Sequence, residues 1–274
     1  NALSLSLSPI PASKEGDASA AGGAHRPPPP QGAPRCAMPW GPVPWVGQDA
    51  SAAHLDRYAA TGSRQAVLDA LEAAEIPLSS RGNVRRPGDP PPRGVCLGVT
   101  QSWSQGPVVS RGVAQLPVLT RLLCDLARRE LPSFVFTSIQ VNKDYAAALH
   151  VDKNNAGYSM IIGLGHYSGG ELWVDDGSPL GACLDLCGTW QRLDGSRPHE
   201  VLPFRGRRYT LVYFTRALPD GGRGPGLRPG DDRRLRDVGF PLPGALPTVC
   251  RGPPPEVRLA AARPKVGKFW ARSR

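Results

Sequence analysis

Three residues have the types and spacing for metal chemistry. His150 and Asp152 stand in the run LHVDKNN, and His199 follows 47 residues beyond Asp152. In an extended segment, side chains two apart point to the same face, so one imidazole and one carboxylate can grip a single ion. An H-x-D pair alone is a weak signal. With His199, at the start of a β-run from Glu200, it would make a two-histidine, one-carboxylate set. Such a set leaves positions open on the metal and suits non-haem Fe(II) and O2. Taken alone, His199 reads as a hydrogen-bonded histidine at a strand start.

Arg208 lies nine residues after His199. The segment 199–214 reads as a strand, a tight turn at Arg205-Gly206 and a returning strand, a hairpin that would bring Arg208 back level with His199. On that strand Arg208 shares a face with Thr210, Val212 and Phe214. A partly buried cation there is costly unless it meets an anion. The far carboxylate of a dicarboxylic oxoacid would satisfy it through paired hydrogen bonds. Arg207 points the other way, into solvent, and Phe214 is expected to line the pocket. Asn142 and Tyr145 either hydrogen-bond the oxoacid or merely end a strand. Asn154 and Asn155 read first as turn residues before Gly157, with contact to a substrate as the second reading. His166 is expected in a polar loop and Trp173 on a sheet.

Two helices and a set of strands must hold these residues. A helix is expected over 64–74, with Ser63 as N-cap, Val67, Leu68 and Leu71 as its stripe and Pro77 beyond its end. A stronger one covers 116–130, where Leu116, Leu119, Leu122, Leu123 and Leu126 share a face and Pro132 stops it. Strands are expected over 133–142, 158–164, 171–174, 189–193, 200–204 and 207–215, separated by Asn, Asp, Ser and Gly turns. The fold class expected is α+β, mainly β: a jelly roll supported by one or two helices. Residues 1–55, rich in Pro, Ala and Gly, read as disordered. The domain spans 60–217 with its core at 93–216, residues 78–94 look like a linker, and the basic tail 218–274 reads as unstructured.

Gly and Pro total 63 of 274 residues, and the formal net charge is +10. From Arg216 onward thirteen basic residues face five acidic ones, which puts most of the excess in the tail. That tail can lean on nucleic acid or an anionic surface, or serve as a solvated Arg-rich linker. No run of 18 apolar residues exists, so no membrane span is expected. The amino end lacks the pattern of a signal peptide, and the chain begins without Met. Six scattered cysteines, Cys183 and Cys187 forming a lone C-x3-C, argue for reduced thiols inside the cell, in nucleus or cytoplasm, over zinc or disulfides.

The run LHVDKNN, then GLGHYSGGELWV, then RPHEVLPFRGRRYTLVYF resembles the Fe(II)/2-oxoglutarate oxygenase superfamily over roughly residues 93–216. The resemblance implies a double-stranded β-helix, iron on His150, Asp152 and His199, and 2-oxoglutarate held by Arg208. It also implies O2 as co-substrate, ascorbate as a support, and hydroxylation of a substrate C–H with release of succinate. Gly169-Gly170-Glu171-Leu172 resembles a strand start common in that superfamily. Asn155, three residues after Asp152, is similar to the ten-eleven-translocation and J-binding branch, whose substrates are nucleobase methyl groups. The strand GRRYTLVYF resembles peptidyl-prolyl hydroxylases comparably well. A Cys-rich region typical of animal ten-eleven-translocation members is absent, and Phe214 stands where nucleic-acid dealkylases carry a second Arg. The expected partner is a macromolecule, nucleic acid or protein, with a slight preference for a nucleobase methyl group. The alternatives are a peptidyl-prolyl hydroxylase and a non-catalytic protein that binds nucleic acid through its tail.

Overall fold

The computed structural model describes residues 52–79, 81, 84–86, 88–102, 104–218 and 226–247. The expectations for 1–51 and 248–274 lie outside the described residues. Along the described part the chain runs α1 (Ala52–Thr61), α2 (Arg64–Ala73), β1 (Arg93–Ser102), β2 (Gly106–Val109), α3 (Arg111–Gln115), α4 (Pro117–Glu130) and β3 (Ser138–Lys143). It continues through β4 (Asn155–Gly169), β5 (Leu172–Val174), β6 (Ala182–Leu184), β7 (Gln191–Leu193), β8 (His199–Val201), β9 (Phe204–Arg216) and α5 (Asp231–Asp237).

The strands form two sheets, one in the order β2-β1-β3-β9-β4-β7 and one in the order β6-β5-β8, and their strand pairs are antiparallel. This is the mainly β, jelly-roll architecture expected. Period-2 alternation splits β9 between two environments. Tyr209, Leu211 and Tyr213 enter a core with the leucines of α4 and with Val67 and Leu71 of α2. Arg208, Thr210, Val212 and Phe214 line a cavity on the opposite face. A smaller core of Ile161, Leu172, Val174, Leu186, Leu193 and Val201 joins the two sheets.

The helices follow the sequence closely. Ser63 caps α2 by accepting from the Gln65 N–H, and the apolar stripe of α4 is buried. Tyr213 donates from its hydroxyl to Leu123 O at 2.9 Å, fixing β9 against α4.

Several boundaries differ from expectation. The strand expected from residue 133 starts at Ser138, because Phe136 instead packs edge-on against Tyr213 at 5.0 Å and Phe240 at 5.6 Å. His166 lies in β4 opposite Arg207, both exposed, and Asn155 begins that strand. Trp173 sits in β5 and donates from Nε1 to Leu180 O at 2.8 Å.

The expected hairpin does not form: β8 pairs with β5, whereas β9 pairs with β3 and β4. Leu202-Pro203 carries the chain from one sheet to the other, and proline has no N–H to continue a ladder. Gly206 is no turn residue. Its φ is +103°, and a Cβ would lie 2.3 Å from His166 O, so glycine there permits close strand approach.

The domain edges also extend beyond expectation. α1 begins at Ala52, inside the stretch read as disordered, and the segment read as a linker contributes buried Val84. Within the tail read as unstructured, α5 forms, and Leu235, Phe240 and Leu242 join the helix-side core. Apolar residues spaced among arginines and prolines supply this anchor. No helix among the described residues is long and apolar enough to cross a membrane.

Candidate metal centre and its pocket

His150 and His199 meet through a backbone bridge. The N–H of His150 donates to His199 O at 3.0 Å, and that of His199 donates to His150 O at 2.9 Å. His150 therefore extends the edge of β8 as a single bridged residue, and Asp152 follows where its N–H reaches Gly195 O at 2.7 Å. The metal-binding atoms of His150, Asp152 and His199 all lie within 4.8 Å of one another. His150 Nε2 is 4.0 Å from Asp152 Oδ1, and the two imidazole centroids are 4.3 Å apart.

Both rings are oriented from behind. Nδ1 of His150 lies 2.7 Å from Ala148 O, and Nδ1 of His199 lies 2.8 Å from Arg197 O. A carbonyl only accepts, so each Nδ1 carries the proton and each Nε2 keeps its lone pair for a ligand. Backbone bonds of this kind fix the tautomer of metal-binding histidines. Burial, then the neighbouring His199, push the basicity of His150 down, which favours the neutral form a metal requires. The donor set fits a divalent ion suited to mixed nitrogen and oxygen ligands.

Asp152 has two further partners: Arg81 Nη2 at 3.2 Å from Oδ1, and Asn155 Nδ2 at 3.4 Å from Oδ2. A Cβ on Gly195 would lie 3.2 Å from Asp152 Cβ, so the smallest residue keeps that carboxylate in place. Arg81 carries no local sequence signal, and Gly195 shows in the sequence only as a turn residue after Asp194.

The triad opens into a cavity of about 870 Å³ that also takes in Asn142, Tyr145, Asn155, Arg208 and Phe214. The cavity thus brings together every candidate residue from the sequence. Arg208 is 1% exposed. Its Nη2 donates to Gly170 O at 3.1 Å, its Nε is buried without a partner, and among the described residues it forms no ion pair. The rings of Tyr167 and Phe204 each lie 5.4 Å from the guanidinium carbon. Burial lowers its basicity, the mark of a desolvated cation.

Asp144, which sequence reading missed, and Gly170, which it noted only as part of a strand start, set the height of Arg208. Asp144, at φ +47°, accepts from the Arg208 N–H through Oδ1 at 2.7 Å and donates its own N–H to Arg208 O at 2.8 Å. Gly170, at φ +77°, leaves room that a Cβ would fill 3.1 Å from Arg208 Nε, so the Gly-Gly pair has a steric function. Tyr145 donates its hydroxyl to Val84 O, and burial pushes its pKa up to about 12. Asn142 Oδ1 accepts from Gln140 Nε2 at 3.2 Å.

Fold and site together define a jelly-roll protein with a candidate two-histidine, one-carboxylate metal centre beside a buried, unpaired arginine. No protein-family model matches the chain, and no curated protein matches it. Solved structures similar to it include a 2OG-Fe(II) oxygenase family oxidoreductase from Burkholderia pseudomallei: identity 21%, TM-score 0.37, coverage 62% of this chain and 91% of the other. NgTET1 in complex with 5mC DNA gives 16% identity and a TM-score of 0.35, over 45% of this chain and 60% of that one. A prolyl-4-hydroxylase from Pseudomonas putida gives 18% identity and a TM-score of 0.32, over 61% of this chain and 85% of the other.

Proposed function

We propose that this chain is an Fe(II)- and 2-oxoglutarate-dependent dioxygenase that hydroxylates a C–H bond of a macromolecular substrate, with a nucleobase methyl group as the favoured target. One observation carries the cosubstrate. Arg208 is a buried cation without a carboxylate partner, and it faces the same cavity as the histidines and Asp152. A five-carbon diacid that chelates the ion at one end offers Arg208 the missing anion at the other. Iron with the oxoacid would supply the oxidising chemistry. The chain's part is to present Nε2 of His150 and His199 with the Asp152 carboxylate, to anchor the diacid at Arg208, and to shield the reacting atoms from bulk water.

Support for a nucleobase comes from the cavity wall. Arg81, Arg111, Lys153 and Arg216 line it besides Arg208, and Asp152 is the one carboxylate among the lining residues described. A positive wall favours a polyanion. The test is succinate release by full-length protein given Fe(II), 2-oxoglutarate, O2 and ascorbate, with methylated DNA, RNA and a Pro-rich peptide supplied in turn. Succinate that rises with a polynucleotide supports the reading, and a rise with the peptide alone replaces it with prolyl hydroxylation. Asp152→Ala is expected to abolish metal binding, read by metal analysis after gel filtration. If Asp152→Ala holds iron as the parent does, the centre lies elsewhere.

A further inference from the structure

Arg216 carries a buried guanidinium nitrogen without a hydrogen-bond partner. It ends β9 opposite Asn155, and its backbone N–H is tied to Thr137 Oγ1 at 2.7 Å, so its Cα is fixed. The side chain lines the cavity, yet Nε is buried without a partner and no ion pair satisfies it among the described residues. Burial lowers its basicity, Cys96 and then Asp152 oppose that, and Arg81 adds to it. Arg81 holds the Asp152 carboxylate at 3.2 Å, and Arg216 lines the same cavity without an ion pair.

That balance changes when Asp152 serves a metal ion. The carboxylate then answers the ion's charge, so Arg81 loses its counter-charge while Arg216, already without an ion pair, stands near an added divalent cation. The oxoacid does not restore it. Arg208 lies eight residues back along β9, roughly 27 Å at strand rise, so a diacid reaching from the metal to Arg208 leaves the Arg216 end unanswered. An anion with several oxygens, able to accept from two guanidinium forks at once, meets the need, and phosphate is the group that arginine pairs fit best.

We infer that Arg216 and Arg81 form a phosphate-binding pair that grips the backbone of the strand whose base enters the cavity, and that the pair becomes free when metal engages Asp152. This rests on the nucleobase reading above. Arg216 is a positioning residue: it sets the register of the strand and leaves the metal and oxoacid untouched. Binding order follows, with metal before polynucleotide.

The experiment is fluorescence anisotropy of a labelled single-stranded DNA 12-mer against full-length protein loaded with Mn(II) and 2-oxoglutarate, at several salt concentrations. Arg216→Gln is expected to weaken binding by roughly 10- to 100-fold, the loss of one charged hydrogen-bonding partner. The slope of log K against log salt should fall by about 0.7, the value for one single-strand phosphate. Arg216→Lys should keep that slope with a smaller loss, and Arg81→Gln should act as Arg216→Gln does. Omitting Mn(II) should weaken the parent and leave Arg81→Gln little changed. Mn(II) and 2-oxoglutarate affinities of Arg216→Gln, measured by calorimetry, serve as the folding control and should match the parent, whereas Arg81→Gln, which removes the partner that Asp152 must give up, should bind Mn(II) at least as tightly as the parent. The inference is overturned if Arg216→Gln binds the 12-mer with the parent's affinity and slope. It is overturned as well if an Asp/Glu-rich peptide of equal charge binds as tightly and loses as much in Arg216→Gln. A parent that takes Mn(II) and 2-oxoglutarate but not the 12-mer sinks the nucleobase reading itself, an outcome distinct from the variant failing to differ.

Discussion

Replacing Arg208 with methionine separates a structural arginine from one kept for a ligand. Arg208 is desolvated, donates to Gly170 O, lies against the rings of Tyr167 and Phe204, and forms no ion pair among the described residues. Exchanging a poorly paired buried ion for an apolar side chain of similar reach is often neutral or stabilising, by about 1–4 kcal/mol. Arg208→Met should therefore match or exceed the parent in thermal stability when no ligand is present. The loaded protein should behave oppositely. At a 2-oxoglutarate concentration about 100 times Kd, binding stabilises the parent by about 2.7 kcal/mol. Losing a buried charged contact costs at least about 2 kcal/mol, roughly 30-fold in Kd, which reduces that stabilisation to about 0.9 kcal/mol. At about 2–4 °C per kcal/mol for a unit of this size, the parent's ligand-induced rise of about 5–11 °C should shrink to about 2–4 °C. Differential scanning fluorimetry of Mn(II)-loaded protein with and without 2-oxoglutarate measures both effects. Arg207→Ala is the control, because Arg207 is exposed on the opposite face. A variant that loses stability when empty yet keeps the full rise with 2-oxoglutarate would refute the anchor: Arg208 would then be a structural cation.

Gly170→Ala forces a Cβ to within 3.0 Å of Phe204 Cβ and 3.1 Å of Arg208 Nε at φ +77°. It should cost about 1–2 kcal/mol of stability and raise the Kd for 2-oxoglutarate, with Mn(II) affinity unchanged; equal losses for both ligands would count against the steric account. Cys124 is buried in α4, and burial raises its thiol pKa well above the ordinary value. The unfolded thiol ionises near pH 9 while the folded one stays protonated, so the unfolded state binds fewer protons and stability falls as pH rises above 9. Urea unfolding at pH 8 and pH 10 should show this decline, and Cys124→Val should flatten it by about 1.4 kcal/mol per pH unit. An unchanged slope in the variant would place the alkaline sensitivity elsewhere.

Much of the site was legible because its chemistry is written in residue types. His, Asp and Arg at fixed order have few roles together, and the leucine stripe at 116–130 and the Ser63 cap depend on near neighbours in sequence. Alternation in 207–215 determined which residues share a face with Arg208. It did not determine which face is the cavity, because Tyr209, Leu211 and Tyr213 are as apolar as Val212 and Phe214 and the strand is covered on both sides. Only the packing of α4 and α2 decided that. Tertiary structure also separated β8 from β9 into different sheets, put Arg81 on Asp152 across 71 residues, and brought Phe240 from the basic tail into the core. The physical reason is range. Helical and strand periodicities arise from sterics and hydrogen bonds within a few residues, whereas the partner of a buried charge is fixed by which distant segments share one interior. The charge on Arg208 and Arg216 could be read from sequence, but their lack of an ion-pair partner among the described residues could be read only from the fold.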